Sequence, residues 1–200
     1  MQVSNIQKRI LLILSGIVVA GILIYALAIL PTLSAVAPKG FMDARQAAAL
    51  TSKQIVDLTN LTNEKIKGVN VSSLGGEKEQ ALSLVRDARA TNTQAYQKAF
   101  ELSQNLQRLA EALNEIKSAD AQRLAYDSVA TELSLVTEFI GYTQSLNNFL
   151  DDLGALVASD TIKNQETVRA RLQEVNSRAA QVNTLNDTFN AKMKELDKMF

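Results

Sequence analysis

The sequence predicts an all-α protein: one N-terminal transmembrane helix, then an up-down bundle of three long helices and one shorter one. Three observations lead there. An uncharged apolar run opens the chain, apolar residues farther on recur at alternating steps of three and four, and no alternating run suggests a sheet. Two prolines and eight glycines in 200 residues leave few places to break a helix. Aromatic residues make up only 5 %, so the helices must pack through small and aliphatic side chains.

Residues 1–9 form a short tail made basic by Lys8 and Arg9. From Ile10 to Ala37 no side chain is charged, and Ile10 to Leu30 supplies 21 almost wholly apolar residues. As a helix that run spans roughly 30 Å, the thickness of a bilayer's hydrocarbon core. It is apolar all round rather than along one stripe, which a lipid-embedded helix requires and a surface helix of a soluble domain does not show. Residues 10–36 are therefore read as a membrane anchor, carried by Ile10, Leu11, Leu12, Ile17, Val18, Ile22, Leu23, Leu27 and Leu30, with the lipid bilayer as partner.

Ala35-Val36-Ala37 resembles a signal-peptide cleavage site, and cleavage near Ala37 would release a secreted protein. Against it stand an apolar stretch longer than the roughly 7–15 residues of a signal h-region and Pro38 just after the cut, so a retained signal anchor is expected. The short basic tail before a long polar domain places the N-terminus in the cytoplasm and the bundle outside, although Lys39, Arg45 and Lys53 follow the anchor. Gly16 and Ala20 form a small-x-x-x-small pair, read as lipid-facing.

Pro31, Pro38 and Gly40 end the anchor, and residues 37–40 form a linker to a bundle domain at 41–200. A first helix is expected from about Phe41 to Lys67, with Ala44, Ala48, Thr51, Ile55 and Leu58 on its buried face, stopped by GVNVSSLGG at 68–76. Glu77 and Glu79 suit the start of the second helix, where the helix dipole favours negative charge. That helix has the clearest pattern: Ala81, Val85, Ala88, Asn92, Ala95, Ala99, Leu102, Leu106, Leu109, Leu113 and Ile116 make a seam whose only polar member is Asn92. Such a seam packs at shallow angles, and a single Asn in it fixes register at some cost in stability.

Ser118 or Asp120 can cap a third helix running to about Ala158. Its stripe is Ala125, Val129, Glu132, Val136, Phe139, Thr143, Leu146, Leu150, Leu153 and Val157, widened by Leu133 and Ile140. Ser159 and Asp160 are expected to cap a fourth, through Val168, Leu172, Val175, Ala179, Val182, Leu185, Phe189, Met193 and Leu196. Short turns make the neighbours antiparallel.

Cysteine, histidine and tryptophan are absent, which removes disulfides, thiolate chemistry and most zinc sites. Beyond the anchor there are 19 basic and 21 acidic residues, a balance that speaks against a nucleic-acid surface. Gly75-Gly76 lacks the Lys-Ser/Thr of a phosphate loop and reads as a turn. Glu132, with Glu138 nearby, is the one acid on an apolar stripe. The expectation is an edge position or a pairing with Lys or Arg, since charged residues are rarely buried alone. Glu111 with Glu115, and Asp151 with Asp152, read as solvated faces, because bundle di-metal sites add Glu-x-x-His motifs. No catalytic residue, metal or cofactor is expected. Asn60-Leu-Thr62, Asn70-Val-Ser72 and Asn186-Asp-Thr188 match the N-glycosylation pattern.

Asp57-Leu58 and Ile66-Lys67-Gly68, followed after the turn by Leu82, Val85, Ala88 and Arg89, resemble the LemA family of membrane-anchored helical-bundle proteins of bacteria and archaea. Glu132-Leu133, Ile140 and Asn148 match further positions of that family, so the likeness covers roughly 55–150. TNLTNEK stands where the family carries a proline-containing stretch, and the family's tryptophan and histidine are missing. The resemblance implies architecture and no established reaction. Residues and resemblance together lead to a non-enzymatic, membrane-anchored surface scaffold or interaction subunit, binding another protein or a second copy through helix packing. The alternative is an extracytoplasmic sensor or solute-binding bundle serving a separate output partner.

Overall fold

A computed structural model describes residues 37–159 and 162–200. These residues form an all-α, four-helix up-down bundle: α1 (Lys39–Gly75), α2 (Lys78–Ala112), α3 (Ala119–Ala158) and α4 (Ile162–Leu196). One-turn 3-10 helices follow α2 at Leu113–Glu115 and α4 at Asp197–Met199. The expected tail 1–9 and anchor 10–36, with all nine anchor residues named above, lie outside the described residues. Among the described residues no helix is long and apolar enough to cross a membrane.

The bundle divides into two compact units. One combines Asp57–Ala95 with Gly141–Ala180; the other combines the part of α1 before Asp57 with Tyr96–Ile140 and Gln181–Phe200. In the first unit, Asn92 Nδ2 donates to the Thr143 carbonyl (2.7 Å) and to Asn147 Oδ1 (2.9 Å), so the one polar seam residue of α2 fixes its level on α3. In the second, Asn105 Nδ2 donates to Thr51 Oγ1 (2.9 Å), a polar tie between α2 and α1. All eleven residues of the α2 seam, Val85, Ala88, Asn92, Leu102, Leu106, Leu109 and Leu113 among them, are buried inside the bundle. Helices of the same chain cover the seam, which is then not open to another molecule.

Three expectations about the helices need correction. The first helix is not the short one: α1 has 37 residues against 35 for α2 and α4. It runs through Gly68 because a Cβ there would stand 3.1 Å from Leu84 Cδ1, so the missing side chain serves contact with α2 rather than a stop. The break falls at Gly76, whose φ of 81° is the left-handed conformation that ends helices. The buried face of α1 matches the expectation at Ala48, Thr51 and Ile55 but not at Ala44 and Leu58, which are only half-buried. The actual seam is Phe41, Arg45, Ala48, Ser52, Ile55, Thr59, Thr62, Ile66 and Val69, at strictly alternating steps of four and three.

On α3, Leu133 is exposed and Ile140 half-buried; the core widens along the opposite flank through Ser128, Leu135, Tyr142, Phe149 and Leu156. On α4 the stripe passes through buried Asn186 rather than half-buried Leu185. At the helix starts, Ser118 caps α3, its Oγ accepting from the Ala121 amide at 3.4 Å, and Glu79 lies in the first turn of α2. Ser159 instead closes the end of α3, its Oγ donating to the Ala155 carbonyl (3.3 Å); Asp160 lies outside the described residues.

Candidate functional site

Glu132 is not at the bundle edge. It is 4 % exposed, and the residues around it belong to one unit: Arg45 and Ser52 from the α1 seam and Asp197 from the turn after α4. Arg45 is 5 % exposed and grips Asp197 with both terminal nitrogens, Nη1 to Oδ1 at 2.7 Å and Nη2 to Oδ2 at 3.2 Å. The fork geometry of a guanidinium on a carboxylate suits a buried pair, because two parallel bonds offset the desolvation of both charges. Phe200 packs against Phe41 beside it, ring centres 5.8 Å apart, so an ion pair and a ring contact hold the C-terminal turn to the start of α1.

One guanidinium balances one carboxylate, and Glu132 is the second carboxyl. Burial pushes it up to about 8. The charge of Arg45 and the Ser52 hydroxyl pull the other way, yet Ser52 Oγ reaches no hydrogen-bond geometry with any acceptor among the described residues. At neutral pH the cluster is therefore a neutral carboxyl beside a closed ion pair. A carboxyl of that kind can hold and release a proton. What it lacks is access: the adjoining cavity, bounded by Phe41, Arg45, Val129, Glu132, Phe189 and Leu196, measures about 20 Å³. That is room for one water molecule and not for an organic substrate.

The other acid pairs point apart. Asp151 reaches Arg89 on α2 at 3.0 Å while Asp152 reaches Arg171 on α4 at 3.3 Å, as neighbours 100° apart on a helix must. Glu111 and Glu115 are exposed, and among the described residues no group of three His, Cys, Asp or Glu is placed to hold a metal ion. A surface groove of about 300 Å³ lies at Leu82, Arg86, Arg89, Leu150, Asp151 and Gly154, open to solvent. Two glycosylation tripeptides sit within helices with Thr62 and Asn186 buried, so the folded bundle does not present them to a modifying enzyme.

The feature that sequence periodicity hid is on the outside. Tyr126 Oη donates to Asn114 Oδ1 at 3.0 Å, tying the first turns of α3 to the 3-10 turn that follows α2. From Asn114, three- and four-residue steps back along α2 lead through Ala110, Gln107, Ser103, Phe100 and Tyr96; seven-residue steps along α3 lead from Tyr126 to Leu133 and Ile140. Phe100 is 48 % exposed, Tyr126 43 % and Leu133 39 %. Tyr96 and Phe100 meet edge to face at 5.0 Å. Ala130, Ser134 and Thr137, exposed between them, carry no charge, and from Leu124 to Ile162 the chain contains no Lys or Arg. Charges stand at the rim, as the Lys98–Glu101 pair, Arg108, Asp127, Arg123 one turn before Tyr126, and Glu111 between Gln107 and Asn114.

Glu132 was visible in the sequence as an acid on an apolar stripe. Its neighbours were not, because Arg45 and Asp197 lie at opposite ends of the bundle domain's sequence. No family model, no curated protein and no solved structure matches this chain.

Proposed function

We propose that this chain is a non-enzymatic, membrane-tethered helical bundle that works as a protein-interaction subunit, docking its partner on the strip between α2 and α3. The observation that carries the reading is the strip itself. In a chain of which 21 % is charged, two adjacent helices expose Phe100, Tyr126 and Leu133, with Glu111, Arg123 and Asp127 at the margin. Exposed aromatic and aliphatic groups depleted of charge and ringed by it are the composition of an interface core with its rim.

The tether rests on Ile10–Leu30, which is long and apolar enough to span a bilayer, with the N-terminus in the cytoplasm and the bundle outside. The likeness to LemA proteins enters only through the architecture it implies. Against catalysis stand the sealed surroundings of Glu132 and the lack of histidine and cysteine. A solute-binding role has the open groove at Arg86 and Arg89 as its place, where the Arg89–Asp151 pair is more than half exposed and so weakly held.

The test is to express the full chain, extract membranes with alkaline carbonate, and pull the protein down from detergent. Retention in the membrane together with a co-purifying protein or a multimer is the expected result. A freely soluble or unaccompanied monomer contradicts it.

A further inference from the structure

We infer that Glu132 controls a latch: on losing its proton, its carboxylate draws Arg45 away from Asp197 and frees the turn Asp197–Met199 from the start of α1. The latch has two parts, the fork from Arg45 to Asp197 and the contact of Phe200 with Phe41, and both close on the first two turns of α1. What they hold is a single turn of 3-10 helix, whose hydrogen bonds have poorer geometry than those of the α-helix before it. The guanidinium in the fork is not fully engaged. Both terminal nitrogens are on Asp197, while Nε is buried and has no hydrogen-bond partner among the described residues.

Arg45 is the cation whose charge acts on Glu132. It is the charge that α1 buries here, Lys53 being exposed; α2 brings Leu109, with Arg108 exposed. From α4, Lys192 is already engaged by Thr131 Oγ1 (2.9 Å) and the Asp127 carbonyl (3.3 Å), while Lys194, Glu195 and Lys198 are exposed. Two carboxylates then compete for one guanidinium, and the outcome turns on which of them can leave. Glu132 stands within α3 at 4 % exposure, so as an anion it reaches water only if that helix comes apart, and a buried charge without a partner is strongly disfavoured. Asp197 regains water when one turn beyond α4 lifts. Arg45 and Glu132 both line the cavity of about 20 Å³, which gives the two groups room to approach.

Amide hydrogen exchange of the full chain in detergent, corrected for the intrinsic rate at each pH, reads the latch in residues 193–200. Burial holds the closed-state carboxyl up to about 8, and pairing with Arg45 lowers it in the open state, so opening is favoured by up to about tenfold per pH unit below pH 8. Exchange in 193–200 should therefore rise at least about tenfold between pH 6 and pH 8. Sub-denaturing urea should leave it unchanged, because lifting one turn exposes little surface, while it speeds exchange in the α2 seam. Glu132→Gln should abolish the rise, and Asp197→Asn should give fast exchange at both pH values. The proposal is overturned if 193–200 is unprotected in wild-type protein at pH 6, if its exchange does not change with pH, or if Glu132→Gln keeps the rise. Acceleration of 193–200 by urea in step with the α2 seam also overturns it, since the pH effect would then be one of global unfolding.

Discussion

Replacing Glu132 by Gln should make the protein more stable at neutral and alkaline pH and remove most of the pH dependence of its stability between pH 5 and 9. The unfolded chain releases this proton near the ordinary value of 4.5, whereas the folded chain holds it to about 8. Between those values the folded state binds the extra proton, so stability falls as pH rises through the window and levels off above it. Each pH unit is worth about 1.4 kcal/mol, so wild-type protein should lose roughly 3 kcal/mol between pH 4.5 and 7 and somewhat more by pH 8.

Glutamine keeps the shape of the protonated carboxyl and cannot ionise. The window is unusually clean: there is no histidine, burial pushes the Tyr142 phenol up to about 12, and the Ser145 hydroxyl and Arg171 hold Glu174 below the ordinary carboxylate range. Urea melts at pH 5, 7 and 9 report the difference directly. At a slope of about 2 kcal/mol per molar urea, the wild-type midpoint should fall by on the order of 1 to 2 M across the series while that of Glu132→Gln stays nearly level. Parallel profiles for the two proteins would refute the placement of a neutral buried carboxyl at this position.

Asp197→Asn leaves the Arg45 charge without its partner, so the titration midpoint of Glu132 should fall toward the ordinary carboxylate value, read from its side-chain carbon resonance; an unmoved midpoint would show that the two acids do not share Arg45. Asn63 is 4 % exposed with neither amide atom hydrogen-bonded among the described residues, so Asn63→Leu should raise stability by about 1 kcal/mol or more, checked by denaturant melts. Gly76 has open space around its Cα, and Gly76→Ala should therefore cost only the left-handed backbone strain, about 1 kcal/mol, seen as a lower melting temperature with an unchanged helical spectrum.

The elements most legible in the sequence are those whose seams are apolar. On α2, where Ala, Val, Leu and Ile hold ten of eleven places, every expected core residue is buried. The helix read only in part is the one whose buried face is polar: Arg45, Thr51, Ser52, Thr59, Thr62 and Asn63 make up six of the twelve buried positions described on α1, so the spacing found Ala48, Thr51 and Ile55 but also drew in half-buried Ala44 and Leu58. Thr62 meets burial by turning its hydroxyl to the carbonyl of Leu58 in its own helix at 2.9 Å, a solution that leaves no trace in periodicity.

The same limit explains the site. An acid on an apolar stripe singled out Glu132, but which cation faces it depends on how α1 packs and where the C-terminal turn returns, and both are set by long-range contacts. Leu133 shows the opposite error, an apolar residue assigned to the core that stands 39 % exposed. Periodicity assigns apolar residues inward by default, which conceals the surfaces used for association.

Hydroxyl-radical footprinting of the full chain in its native membrane, compared with the same chain dispersed in dilute detergent, tests the central claim most directly. If the α2–α3 strip is the working surface of a membrane-held subunit, Phe100, Tyr126 and Leu133 should be protected in the membrane and become reactive on dispersal, while Leu50 and Met199, exposed at 49 % and 43 %, stay reactive in both. Equal reactivity of the strip in the two preparations, or protection confined to Leu50 and Met199, would contradict it.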